Sequence, residues 1–212
     1  MANGNGSADK RRRILDAAIR VFARQGFHSA RVSDIAAEAG VAYGLVYHYF
    51  DSKEQMLNEV FSERWSLLLE AIRQADVELD SPREKLGAAA GFINESYRHN
   101  PELMKVIIVE VTRAANSFGR THLSEIRDAY DQIAKIVGDA QEAGEFRGDV
   151  SPDFAAMLFY GAIEQLLTGW IFEVVPASDE DYERAKVLVV ETICGGLEMR
   201  GRPAGVAEER PV

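Results

Sequence analysis

Apolar residues recur at helical spacing along most of the chain, and no segment alternates apolar and polar positions in the way a strand would. From Lys10, the positions Ile14, Leu15, Ala18, Val21 and Phe22 share one stripe, and Gly26 offers a stop. Ile35, Ala36 and Ala39 form a second, very short apolar face closed by Gly40, and a third short helix is predicted over residues 43–50. Asp51-Ser52 caps a long helix that starts at Lys53 and carries Met56, Leu57, Val60, Phe61, Trp65, Leu68 and Ile72. Ser81-Pro82 opens the next helix, with proline in its first turn, and His99-Asn100-Pro101 breaks and restarts the chain. Residues 101–118 are strongly apolar. Further helices are expected over Leu123–Ala143, from Ser151-Pro152-Asp153 through Trp170 and Phe172, and over residues 181–199, with polar residues 178–181 as separator. The pattern is all-α, with no internal repeat.

The stretch GVAYGLVYHYFDSKEQM, residues 40–56, breaks the pattern of buried aliphatic faces. Ser33–Ala39, the turn Gly40-Val41-Ala42 and Tyr43–Phe50 read as helix, tight turn, helix, which is the helix-turn-helix signature. On the second helix Tyr43, Gly44, Tyr47 and His48 fall on one strip, and Val46 and Phe50 on the opposite one. Gly44 costs about 1 kcal/mol of helix propensity relative to Ala, which makes sense where a backbone must come close to another surface. Tyr hydroxyls bond phosphate oxygens, tyrosine rings touch thymine methyls, and His48 can donate to phosphate. Lys53, at the start of the following helix, is placed to share a phosphate with the helix N-terminal amides. Ordinary inter-helix packing is the competing explanation for these rings, and it weighs most for Tyr49.

Net charge is −10, which on its face disfavours nucleic acid, but the charge is uneven. Residues 1–56 hold eight Lys/Arg against six Asp/Glu, a net of +2, leaving −12 for the rest. A basic head on an acidic body matters because phosphate responds to the local field. The start, MANGNGSADKRRR, lacks the apolar core of a secretory signal, and no run of about 18 uncharged apolar residues exists, so a cytoplasmic protein without a membrane span is expected. The single cysteine, Cys194, sits among Val190 and Ile193 and reads as a buried, inert thiol.

Residues 10–58 resemble the DNA-binding domain of TetR-family transcriptional regulators. The likeness rests on Ile14-Leu15-Asp16-Ala17-Ala18, Phe22, Gly26-Phe27, Val32-Ser33-Asp34-Ile35-Ala36, Ala39-Gly40-Val41, Gly44, Tyr47-His48-Tyr49-Phe50 and Ser52-Lys53-Glu54, in order and at the right spacing. Ala42, Tyr43 and Leu45 depart from the usual pattern, so no operator sequence follows. The resemblance implies contact with double-stranded operator DNA from Ser33, Tyr43, Gly44, Tyr47, His48, Tyr49 and Lys53. It implies a tail over 1–8, a helix-turn-helix domain over 9–53, a helical-bundle ligand-binding and dimerisation domain over 54–200, and a second tail over 201–212.

Residues 109–130 and Gly144-Glu145-Phe146 further resemble the branch of that family that senses long-chain acyl-CoA and represses fatty-acid degradation. By that resemblance Arg113, Asn116 and Arg120 are candidates for the CoA phosphates, since arginine binds phosphate bidentately. Surface pairing with nearby carboxylates is the competing reading. Phe92, Tyr97, Ile107, Ile108, Val111, Tyr130 and Ile163 are candidate lining for an apolar effector. Residues 154–172 and 182–199 are unusually apolar for surface helices, with Phe154, Met157, Leu158, Val187 and Val190 among them, and point to a homodimer. The four histidines are scattered and no HExxH, CxxC, GxSxG or P-loop is present, so neither enzyme chemistry nor a bound cofactor or metal is expected. Carboxylates within apolar helices, Glu110 and Glu164, are expected to accept internal hydrogen bonds. A helical small-molecule-binding or adaptor protein without DNA affinity is the alternative from another class, and a gel-shift with competitor DNA separates the two.

Overall fold

The computed structural model describes residues 3–112 and 122–198, with side chains from 6–110 and 122–198. Nine α-helices follow one another among the described residues: α1 (Asn3–Gln25), α2 (Val32–Ala39), α3 (Tyr43–Tyr49), α4 (Lys53–Glu78), α5 (Pro82–His99), α6 (Pro101–Val106), α7 (Leu123–Glu142), α8 (Pro152–Ile171) and α9 (Asp179–Leu197). A π-helical turn, Ile107–Thr112, continues α6. The punctuation works as the residue types dictate. Gly26, Gly40 and Gly144 take positive φ at helix ends, where a Cβ would be strained. Ser52, Ser81 and Asn100 each accept a backbone N–H in the first turn of α4, α5 and α6.

Two starts differ from expectation. Helix α1 begins at Asn3, within the expected tail, and residues 6–10 are exposed; the Ser7 hydroxyl lies 3.3 Å from that of Tyr49. Helix α9 begins at Asp179, because Ser178 and Asp181 form a capping box that turns the expected separator into a helix start.

Helices α1–α3 close around Ile14, Ala18, Phe22, Ile35, Val46 and Phe50, all buried. Helix α4 leaves this head and enters the body, where α5, α7, α8 and α9 pack around Trp65, Leu86, Ile136 and Phe159. One apolar cluster runs through both. Polar ties reinforce the junction. Arg11 pairs with Glu59 and Arg12 with Glu63, linking α1 to α4. Glu110, in the π turn, accepts the Phe27 backbone N–H at 3.1 Å, as expected of a carboxylate on an apolar helix. Helix α8 is long and apolar enough to cross a membrane, although its sequence is interrupted by Glu164 and it packs within the bundle through Ala156, Phe159, Ile163, Leu167 and Trp170. Cys194 is buried and its thiol is pushed up to about 11 by that burial.

Candidate nucleic-acid interface and effector cavity

Helix α3 is held by Val46 and Phe50, which are fully buried, and by the left-handed turn at Gly40, whose N–H reaches Ala37 O while Val41 N–H reaches Ala36 O. That anchoring turns positions 42, 43, 44, 47 and 48 outward, and all five are exposed. Tyr43 and Tyr47 stand one turn apart, their rings edge-to-face at 5.3 Å and their hydroxyls 3.2 Å from each other. That bond to Tyr43 raises the Tyr47 phenol above its ordinary range. A Cβ at Gly44 would meet nothing within 4 Å, so the glycine answers no need of the fold itself. Ser33 is exposed on the first turn of α2. Tyr49 is only partly exposed and packs its ring against His48 at 5.0 Å.

Lys53 is committed elsewhere. Its ammonium donates to the carbonyls of Phe27, His28 and Ala30 at 2.8, 3.1 and 3.0 Å and lies 4.6 Å from the Phe27 ring centroid. All three protons are used on the loop between α1 and α2, so in the free protein Lys53 ties that loop to the start of α4. The basic run is likewise largely consumed: besides Arg11 and Arg12, Arg13 donates to Ala39 O, and Arg20 and Arg24 both bond Glu38, holding its carboxyl below the usual range.

In the body, two adjoining apolar cavities share Trp65, Leu68, Ile93 and Tyr160. The outer one reaches Arg64, Phe92, Ser96, Met104 and Ile107; the inner one reaches Ile72, Tyr130, Ile133 and Phe159. Their volumes are about 20 and 10 Å³, room for roughly one water each. Trp65 is fixed by its Nε1–H, which donates to Glu125 O at 2.6 Å. Burial and the nearby Glu164 raise the phenols of Tyr130 and Tyr160.

A third feature is an open apolar groove of about 460 Å³ between α8 and α9, lined by Ala162, Leu166, Gly169, Val174, Val175 and Leu188 among others. Beside it Phe154, Met157, Leu158 and Val187 are more than half exposed. The glycines at 161, 195 and 196 have open space where a Cβ would stand.

Residues 14–60 match the family model described as bacterial regulatory proteins, tetR family, and residues 61–186 match that of the YsiA-like protein C-terminal region. The chain belongs to the TetR family. It is 28% identical over 187 residues to the fatty acid metabolism regulator protein of Bacillus subtilis, covering 87% of this chain and 93% of that one. It is 30% identical over 166 residues to the transcriptional repressor KstR2 of Mycolicibacterium smegmatis, covering 77% and 78%. Its fold matches the crystal structure of the transcriptional regulator FadR from Bacillus subtilis in complex with stearoyl-CoA, with a TM-score of 0.77, 24% identity, and 88% and 99% of the two chains covered. These relatives are regulators, not enzymes.

For a TetR-family chain, the predicted residues divide unevenly. Ser33, Tyr43, Gly44, Tyr47 and His48 are all exposed on α2 and α3. Of the predicted lining, Phe92 and Ile107 border the outer cavity and Tyr130 the inner one. Ile108 and Ile163 are buried in the core and border neither. Tyr97 belongs to a different cluster, with Trp170 at 5.6 Å and Tyr182 at 5.9 Å, beside a polar groove. The side chains of Val111, Arg113, Asn116 and Arg120 lie outside the described residues. Arg64, Trp65 and Tyr160 were absent from the sequence-based set; the only signal for them was a position on the inner half of α4 or α8.

Proposed function

We propose that this protein is a cytoplasmic, homodimeric repressor that binds operator DNA through α2 and α3 and releases it when an apolar acyl effector, first of all a long-chain acyl-CoA, enters the body. The observation that carries this reading is the α3 face. Five neighbouring positions are exposed on a short helix whose other side is fully buried, and their side chains are two phenols, an imidazole, a methyl and a hydrogen. Ser33, Tyr43, Gly44, Tyr47 and His48 make the DNA contacts, Tyr49 steadies His48, and Lys53 holds the α1–α2 loop beneath them. The head ends near Lys53 and the body runs from there to about residue 200. Pairing of the α8–α9 faces of two copies sets the two α3 helices about 34–36 Å apart, one turn of DNA.

The effector reading is supported by the names of the relatives and by the apolar cavity pair. A ligand pocket normally holds about 300–1,000 Å³, far more than these cavities offer, so the body must open to accept a chain. Opening couples to the head through α4, Arg12–Glu63 and Glu110–Phe27. An effector that prefers the open body by about 100-fold shifts the equilibrium by about 2.7 kcal/mol. The test is a gel-shift with DNA from upstream of the protein's own coding region, titrated with acyl-CoA of increasing chain length. Release that strengthens with chain length is expected. Release by none of them, with release by a fused-ring compound instead, removes the acyl assignment and leaves a ligand-gated regulator; no DNA affinity at all favours the adaptor alternative.

A further inference from the structure

Arg64 is a partly buried cation that, among the described residues, has no carboxylate partner. Its Nη1 reaches only the Ser96 hydroxyl, at 3.5 Å, and its guanidinium lies 6.0 Å from the Phe92 ring centroid. Burial is the main influence on it and lowers its pKa; Arg12 lowers it further, while Glu63 opposes both. Leaving a charge out of water without a counter-ion costs stability, so a chain that keeps one has a use for it. Its position indicates the use. Arg64 borders the outer apolar cavity of the body and also a separate groove between α1, α4 and α6, shared with Arg12, Leu15, Glu63 and Leu103. It therefore stands in the wall between an apolar interior and the head–body junction.

We propose that this groove is the anion end of the effector site: Arg64, with Arg12 beside it, binds a carboxylate or phosphate whose apolar chain runs past Phe92 and Trp65 into the body. This rests on the effector reading above and adds where the charged end sits. Arg12 is already paired with Glu63 and Asp16, whereas Arg64 has no carboxylate partner among the described residues, so an incoming anion has the Arg64 guanidinium open to it. It also competes with Glu63 for Arg12, and the Arg12–Glu63 pair is one of the ties that fix α1 to α4. Charge recognition and release of the head are thus placed on the same two side chains.

The experiment compares wild type, Arg64→Gln and Arg64→Lys with three probes of equal chain length: stearate, stearoyl-CoA and octadecan-1-ol. Binding is read by quenching of tryptophan fluorescence, with the melting temperature measured alongside. Arg64→Gln is expected to weaken at least one anionic probe tenfold or more, leave octadecan-1-ol within twofold, and melt no lower than wild type; Arg64→Lys recovers most of the loss. An effect confined to stearate assigns the carboxylate, and one confined to stearoyl-CoA assigns the phosphates. Wild-type binding of anionic probes that Arg64→Gln leaves unchanged, or an equal loss for octadecan-1-ol, overturns the Arg64 assignment alone. Failure of every probe to bind wild type overturns it together with the effector reading.

Discussion

Helix α3 and the α8–α9 face both show large side chains to water, but they differ in chemistry. On α3 the exposed side chains are tipped: Tyr43 and Tyr47 end in hydroxyls and His48 in ring nitrogens. On α8 and α9, Phe154, Met157, Leu158, Val187 and Leu188 end in carbon or thioether. A tipped surface suits a wet, charged partner, where each contact needs a donor as well as area. An untipped one suits a dry partner, and a second copy of the same helices is the partner of that kind always present at equal concentration. The difference teaches that exposure alone identifies neither surface; the atoms at the ends of the side chains do.

The comparison breaks most visibly on the untipped side. Leu158→Asp with Leu188→Asp is expected to give a monomer in light scattering, and DNA affinity should fall by about 100-fold or more because one head alone keeps half the contacts. A dimer that persists in the double variant would show that the apolar face has another occupant. Next in size is Lys53→Ala. Charged hydrogen bonds contribute roughly 1.5–3 kcal/mol each when buried, and these are partly exposed, so about 2 kcal/mol in total is expected. For a chain of this length that is a melting-temperature drop of roughly 4–8 °C. DNA binding measured well below the transition should then change little, with the salt slope intact; a salt slope reduced by about 1 without a change in melting would return Lys53 to the phosphate contacts.

Tyr47→Phe sharpens the tipped side. It removes one hydroxyl and keeps the ring, so DNA affinity should fall by about 1 kcal/mol, roughly fivefold, while the melting temperature stays put. Equal affinity would mean that the ring, not its tip, meets the partner. The smallest effect is the most discriminating. Gly44→Ala should stabilise the free protein by up to about 1 kcal/mol, since alanine favours helix and the added methyl meets nothing. The same change should weaken DNA binding, and a variant that gains both stability and affinity would remove the close-approach role of Gly44.

The two surfaces were legible in the sequence for a common reason. Helical periodicity separates Val46 and Phe50 from Tyr43 and Tyr47, and it likewise gathers Phe154 and Leu158, because both are local properties of one helix. Contacts between distant segments were not legible. The carbonyls that Lys53 serves lie 23–26 residues earlier, brought to it only by the turn of the chain after α1, so these hydrogen bonds leave no mark in the local pattern. Tyr97 looked like pocket lining until the fold placed it with Trp170 and Tyr182. Arg64 was invisible: next to Glu63 it reads as one more surface charge, and only packing against α5 and α6 turns it inward. Core and cavity residues share one composition, so Ile108 and Ile163 had no mark to set them apart from Ile107.

The bond between the Tyr43 and Tyr47 hydroxyls has an entropic side. Two free tyrosines on a helix surface each sample several rotamers, and a partner that needs one of them must freeze the rest, at about 0.5–1.5 kcal/mol per side chain. Here the 3.2 Å contact and the edge-to-face rings already restrict both. Part of the ordering is therefore complete when the chain folds, and on the proposed docking the two rings reach DNA as a preformed clasp. Tyr47→Phe unlocks this clasp as well as removing a donor, so its loss of affinity should carry an unfavourable binding entropy that calorimetry resolves from the lost hydrogen bond.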